Sequence, residues 1–276
     1  MKRRNKCYQF LVAVVLLIFM ITGCTKKAQS VENETTETKP VDLYVFVAAS
    51  LKNTMEDIKT DYEKKHPNVS IIYNTDSSGT LRTQILEGAQ CDVFFSAAEK
   101  QMEELKEKGF VKKGTITKLL ENRIVLIKTK GIKTDVTGFD DMTKASSLAL
   151  AGEDVPVGQY ARVLFQNLGI YDRVMKMEIN EGNNVTAVLT AVAEGSNEVG
   201  VVYGTDAASM PDHVEIIEEA NLNMVNPAVY PVGLIENPEA DAMQEEVACD
   251  FKQYLIEDET VRKLFSDRGF QIYTQS

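Results

Sequence analysis

From Val41 to Ala48 the chain reads VDLYVFVA, nearly all apolar and rich in β-branched and aromatic residues. A run of this kind predicts a strand covered on both faces, with no solvent side for polar residues. Apolar positions at Met55, Ile58 and Tyr62 then recur at helical spacing until His66-Pro67, where proline forbids continuation. The alternation persists, with a strand over Val69–Tyr73, a polar turn Asn74–Gly79, a helix over Thr80–Glu87 and a strand over Asp92–Phe95. Ser96-Ala97-Ala98-Glu99 has capping-box spacing and predicts a helix to Lys108, ended by Gly109. Further strands are expected over Ile124–Lys128, Ser147–Ala151, Val199–Tyr203 and Tyr230–Ile235. Further helices are expected over Ala161–Leu168, Val185–Glu194, about Ala240–Ile256 and Glu259–Asp267. Strands alternating with helices predict an α/β fold with mostly parallel sheets.

The N-terminus follows a different pattern. Lys2, Arg3, Arg4 and Lys6 precede an apolar run from Phe10 to Ile21, then Thr22-Gly23-Cys24. A basic segment, a short apolar segment and small residues before a cut define a secretory signal. The run is shorter than the roughly 20 residues of a spanning helix. Residues 1–23 are therefore expected to be removed. The next stretch, to residue 40, is almost devoid of apolar side chains and reads as a flexible tether.

Composition narrows the function. The chain has 276 residues, with 30 basic against 41 acidic side chains and a net charge of −11. Loss of the four basic residues in the signal takes this to −15, so nucleic acid is not an expected partner. Two histidines and four scattered cysteines without a CxxC offer no zinc or iron–sulfur site. Cys91 and Cys249 sit in apolar contexts and are expected to be buried free thiols, with a disulfide as the alternative.

Chemistry concentrates where strands end and helices begin, which is where α/β folds bind ligands. Ala48-Ala49-Ser50-Leu51, Ser77-Ser78-Gly79-Thr80, Val155-Pro156-Val157-Gly158 and Asn183-Asn184-Val185 are four such turns. Each helix start leaves backbone N–H groups without intrahelical partners, and nearby serine hydroxyls complete a neutral anion site. A serine before a helix otherwise serves as its N-cap, so both roles stand open for Ser50 and Ser78. Asp206, after Tyr203-Gly204-Thr205, reads as a cap, because a carboxylate would repel an anion.

These stretches, together with Asp92-Val93-Phe94-Phe95-Ser96-Ala97, Gly200-Val201-Val202-Tyr203-Gly204-Thr205-Asp206-Ala207 and Tyr230-Pro231-Val232, resemble the bacterial molybdate-binding proteins in identity and order. The resemblance runs from Val41 to the end. It implies a two-lobed type II periplasmic-binding fold, each lobe a mostly parallel sheet flanked by helices, joined by a two-crossing hinge. Residues 41–122 plus 230–276 would form one lobe and 123–229 the other. It implies that the hydroxyls of Ser50, Ser78 and Tyr203 and the N–H groups of Val157 and Val185 hold molybdate or tungstate. Gly79, where relatives carry Ser or another small residue, is expected to matter little. Ile21-Thr22-Gly23-Cys24 resembles the lipobox, implying a lipid on Cys24 and a monomeric receptor at the extracytoplasmic face of the membrane. Such a receptor passes its anion to an ABC permease and needs no cofactor. A receptor of the same fold for sulfate or phosphate, a surface enzyme, and an adhesive lipoprotein are the alternatives. For an enzyme, no GxSxG, HExxH or P-loop is present, and neither His66 nor His213 offers Ser50 or Ser78 a base.

Overall fold

The computed structural model describes residues 39–274. The signal and lipobox, Cys24 included, and most of the tether lie outside the described residues. Strands β1 (Val41–Ala48), β2 (Val69–Asp76), β3 (Val93–Phe95), β4 (Thr117–Asn122), β10 (Ala228–Leu234) and β11 (Gln271–Ile272) form one sheet in the order β11-β4-β10-β3-β1-β2. Strands β5 (Ile124–Thr129), β6 (Ser147–Ala151), β7 (Glu178–Gly182), β8 (Val199–Tyr203) and β9 (Val214–Glu219) form a second, in the order β7-β6-β8-β5-β9.

Both sheets are mixed rather than mostly parallel. β1 pairs parallel with β2 and β3, and β6 with β7 and β8. The other pairs are antiparallel, and each contains β4, β5 or β10. A helical crossover returns the chain to the same end of its sheet and so makes a parallel neighbour. β4, β5 and β10 instead carry the chain between sheets, and Arg123 alone separates β4 from β5.

The helices are α1 (Lys52–Lys65), α2 (Ser78–Leu86), α3 (Glu99–Glu107), α4 (Pro156–Asn167), α5 (Tyr171–Val174), α6 (Val185–Ala193), α7 (Gly204–Ser209), α8 (Ala242–Glu257) and α9 (Glu259–Asp267). The apolar run of β1 is divided between two cores. Leu43, Val45 and Val47 join Met55, Phe251 and Leu255 on one face, while Phe46 joins Leu81, Ile85, Phe94 and Met102 on the other. The strand is thus covered on both sides by helices, as its lack of polar alternation requires.

Three helix starts differ from the sequence reading. α2 begins at Ser78, two residues before Thr80. α3 begins at Glu99 behind Ala98, and the Ser96 hydroxyl turns to the Ala98 carbonyl at 2.8 Å rather than capping the helix. α4 begins at Pro156, five residues before Ala161, with proline in its first turn, where a missing N–H costs nothing. Gly158 permits that early start, because a Cβ there would lie 2.3 Å from the carbonyl oxygens of Ala151 and Gly152. Cys91 is buried and Cys249 exposed, and both are free thiols. The expectation of burial fails for Cys249 because its position on α8 faces solvent.

Candidate functional site

Four segments meet where the two sheets face each other. The chain leaves β1 through a single 3-10 turn, Ala49–Leu51, and leaves β2 directly into α2. α4 follows β6 and α6 follows β7. One small cavity between them is lined by Ser50, Ser78, Val157, Val185 and Tyr203, with Ala48, Ala49, Ser77, Ala97, Val155 and Pro156. All five residues singled out from the sequence therefore share one cavity, and none of its lining side chains is charged. Its free interior is about 10 Å³, room for about one water molecule.

The capping alternative is resolved by position. Ser77 is the N-cap of α2 and accepts the Thr80 N–H at 3.1 Å. Ser78 is the first helical residue, and its hydroxyl oxygen accepts the Ala97 N–H at 2.9 Å, which leaves the Ser78 proton free to be donated. Ser50 lies inside the 3-10 turn rather than before it, and no side chain caps that turn. Val157 and Val185 are the second and first residues of their helices, so their N–H groups have no intrahelical acceptor. Asn184 caps α6 by accepting the Ala187 N–H at 3.0 Å. With three helices of nine residues or more starting here, their dipoles give the neutral cavity a positive potential.

Tyr203 ends β8 with its ring buried, and its hydroxyl has no hydrogen-bond partner among the described residues. Burial pushes its pKa well above the usual tyrosine value, so the group stays protonated and keeps a proton to donate. A buried hydroxyl without a partner is costly, which marks it as a group kept for something else. Asp206 takes the capping role, its carboxylate accepting the Tyr203 N–H at 3.3 Å at the start of α7. Burial pushes Asp206 up to about 7.

Side chains not assigned a role from the sequence complete the surroundings. Ser50 Oγ lies 3.0 Å from the Tyr230 hydroxyl on β10. Asn122, at the end of β4, donates from Nδ2 to Tyr230 Oη at 3.3 Å and to Thr205 Oγ1 at 2.7 Å. The Tyr230-Pro231 pair was visible as a motif; nothing in a linear reading puts its hydroxyl beside Ser50. Across the divide between the sheets, Asn184 Nδ2 donates to Asp76 Oδ1 at 3.2 Å and Gln101 Nε2 to Gln159 Oε1 at 3.3 Å. Gly79 corrects an expectation, because a Cβ at that position would stand 2.1 Å from the Asp154 carbonyl oxygen. The residue is one of the points where the two halves touch.

The arrangement of two sheets, with donors at helix starts between them, is that of a solute-binding protein. The profile of the bacterial extracellular solute-binding proteins matches residues 43–271, and the chain belongs to that family. A Bacillus subtilis protein that carries the provisional name of an ABC transporter substrate-binding lipoprotein, YvgL, is 35% identical over 96% of this chain and 98% of its own. The molybdate-binding protein ModA of Haemophilus influenzae is 31% identical over 82% of this chain and 88% of its own. Among solved structures, the substrate-binding domain of a provisionally named molybdenum ABC transporter from Clostridium difficile superposes with a TM-score of 0.64 at 32% identity. The match covers 85% of this chain and all of that one. The resemblance read from the ordered motifs therefore holds, as does the two-lobed α/β class.

Proposed function

We propose that the protein captures molybdate, and with it tungstate, through the hydroxyls of Ser50, Ser78 and Tyr203 and the N–H groups of Val157 and Val185. The observation that carries this reading is the buried, unpartnered Tyr203 hydroxyl in a cavity lined only by neutral groups. Both anions are tetrahedral and fully deprotonated at neutral pH, so they accept hydrogen bonds everywhere and require none in return. Serine and tyrosine hydroxyls and backbone N–H groups can all donate, which is what such an anion requires. Neutral donors also favour release, since no ion pair has to be separated in a dry site. Monohydrogen phosphate carries a proton best met by a carboxylate, and no carboxylate lines the cavity. Sulfate meets the same donors, and its smaller size is the basis on which closure rejects it.

The cavity's interior is far smaller than a four-oxygen anion, so loading proceeds by parting of a lobe of residues 41–122 plus 230–276 from a lobe of 123–229. Arg123 and the return segment before Ala228 are the two crossings. The mature chain is anchored by lipid on Cys24 at the outer membrane face and hands its cargo to an ABC permease as a monomer. The protein performs no chemistry on the anion and uses no cofactor.

Thermal melting of the purified protein against molybdate, tungstate, sulfate and phosphate tests the reading. A ligand bound only by the folded state stabilises it by RT ln(1 + [L]/Kd). Molybdate and tungstate raise the melting temperature, and sulfate and phosphate at equal concentration do so far less. Equal stabilisation by sulfate overturns the assignment.

A further inference from the structure

We propose that Asn122 and Tyr230 form a one-way hydrogen-bond relay that compels the Ser50 hydroxyl to donate into the cavity, which makes Tyr230 a positioning residue for selection of fully deprotonated oxyanions. The proposal rests on the reading that Ser50 bonds the bound anion.

A serine hydroxyl can donate or accept, and a receptor for a proton-free anion needs it only as a donor. The relay begins at the backbone. Arg123 N–H donates to Asn122 Oδ1 at 2.9 Å, which fixes the amide orientation, since a flipped amide would set its own N–H groups against that N–H. Asn122 Nδ2 then faces Thr205 Oγ1 at 2.7 Å and Tyr230 Oη at 3.3 Å. Tyr230 Oη must accept from Asn122 Nδ2, an amide nitrogen that donates only. The single Tyr230 proton has one acceptor in bonding geometry among the described residues, Ser50 Oγ at 3.0 Å.

With Ser50 Oγ accepting, its own proton is directed away from Tyr230, toward the cavity that Ser50 lines. In the reverse arrangement Ser50 donates to Tyr230, and the Tyr230 proton is left with no acceptor in bonding geometry, since the neighbouring Tyr203 hydroxyl makes no such bond. Tyr230 is 0% exposed and Asn122 3%, so no solvent molecule relieves that loss, and a stranded buried donor is expensive. The polarity of the final hydroxyl is thus set by a backbone N–H at the crossing between the two sheets. An oxyanion bearing its own proton would present that proton to a donor, and the relay disfavours it.

A double-mutant cycle separates this role from packing. Tyr230→Phe keeps the ring and removes the hydroxyl. It should weaken molybdate binding by roughly three- to tenfold, the worth of one neutral hydrogen bond, and narrow the preference for molybdate over phosphate. In the Ser50→Ala background the same change should alter affinity by less than about twofold, because the hydroxyl it orients is gone. Ligand-free melting confirms that each variant folds. An equal cost of Tyr230→Phe in both backgrounds, or none in either, overturns the relay. Full molybdate affinity in Ser50→Ala overturns the reading of Ser50 itself, and a wild-type protein indifferent to molybdate overturns the functional assignment.

Discussion

Gly79→Ala tests whether binding requires the two halves to approach as closely as they do. Gly79 is the second residue of α2, and Asp154 lies in the loop between β6 and α4. An added Cβ falls 2.1 Å from the Asp154 carbonyl oxygen and 2.9 Å from its carbon, whereas ordinary contact begins near 3.4 Å. The obstacle is backbone, so no rotamer removes it, and the surfaces must retreat by about 1.3 Å. Asp154 stands three residues before Val157, one of the proposed donors, so the retreat is passed directly to that N–H. A hydrogen bond near 2.9 Å stretched by this amount is lost. One bond to a charged acceptor is worth about 1.5–3 kcal/mol, or roughly ten- to a hundredfold in affinity. Titration calorimetry with molybdate should show that loss. On the proposed parting of the lobes without ligand, Gly79 leaves Asp154, so ligand-free melting should stay nearly unchanged. Binding within threefold of wild type, with the same compaction on ligand addition by small-angle scattering, would refute the reasoning.

Ser50→Ala, Ser78→Ala and Tyr203→Phe should each weaken molybdate binding by about ten- to a hundredfold, since each leaves a charged oxygen one bond short; calorimetric affinities near wild type would remove that residue from the site. Val157→Pro, which deletes a backbone donor, should be as severe as those changes, whereas Val157→Ala should be nearly silent in the same assay. Asp206 titrates near 7 when folded against 3.8 for the free side chain. The folded state therefore holds a proton that the unfolded state gives up, and stability falls as pH rises from about 4 to about 7. Asp206→Asn keeps an acceptor for the Tyr203 N–H and should escape that loss, gaining up to roughly 4 kcal/mol on the wild type at pH 8 relative to pH 4. Parallel denaturant-unfolding profiles for the two proteins would count against the burial of a titrating Asp206. Cys24→Ala should free the protein from membranes, and retention through a salt wash would sink the lipid anchor.

What could be read in the sequence was what a buried element must display. β1, β6 and β8 are short apolar runs covered on both faces, and their composition announces them. β7 and β9 are edge strands, EINEG and VEIIEE, whose solvated positions suppress any apolar alternation. β4, TKLLEN, is buried over only half its length and was equally silent. The mixed sheet directions followed from strands linking the two sheets, a relation between distant segments that no local pattern encodes. At the candidate site, helix starts and small hydroxyl residues marked turns that line one cavity. Ordered family resemblance assigned the donors. Whether Ser78 or Ser77 capped α2 depended on one residue of register, and local propensity does not resolve that. Gly79 looked replaceable because its constraint comes from Asp154, 75 positions away in the chain.

The order of strands in the first sheet also bears on how the protein is made. β10 lies between β3 and β4, yet it is synthesised after the whole of the second sheet. Until it emerges, β3 and β4 each carry an open edge, and the apolar surfaces later covered by α8 and α9 are bare. The second sheet, complete by Glu219, has every strand it needs while the first still awaits its middle. A ribosome stalled or a chain cut shortly before Ala228 would therefore leave one finished half joined to one with unpaired edges, the condition most prone to edge-to-edge aggregation.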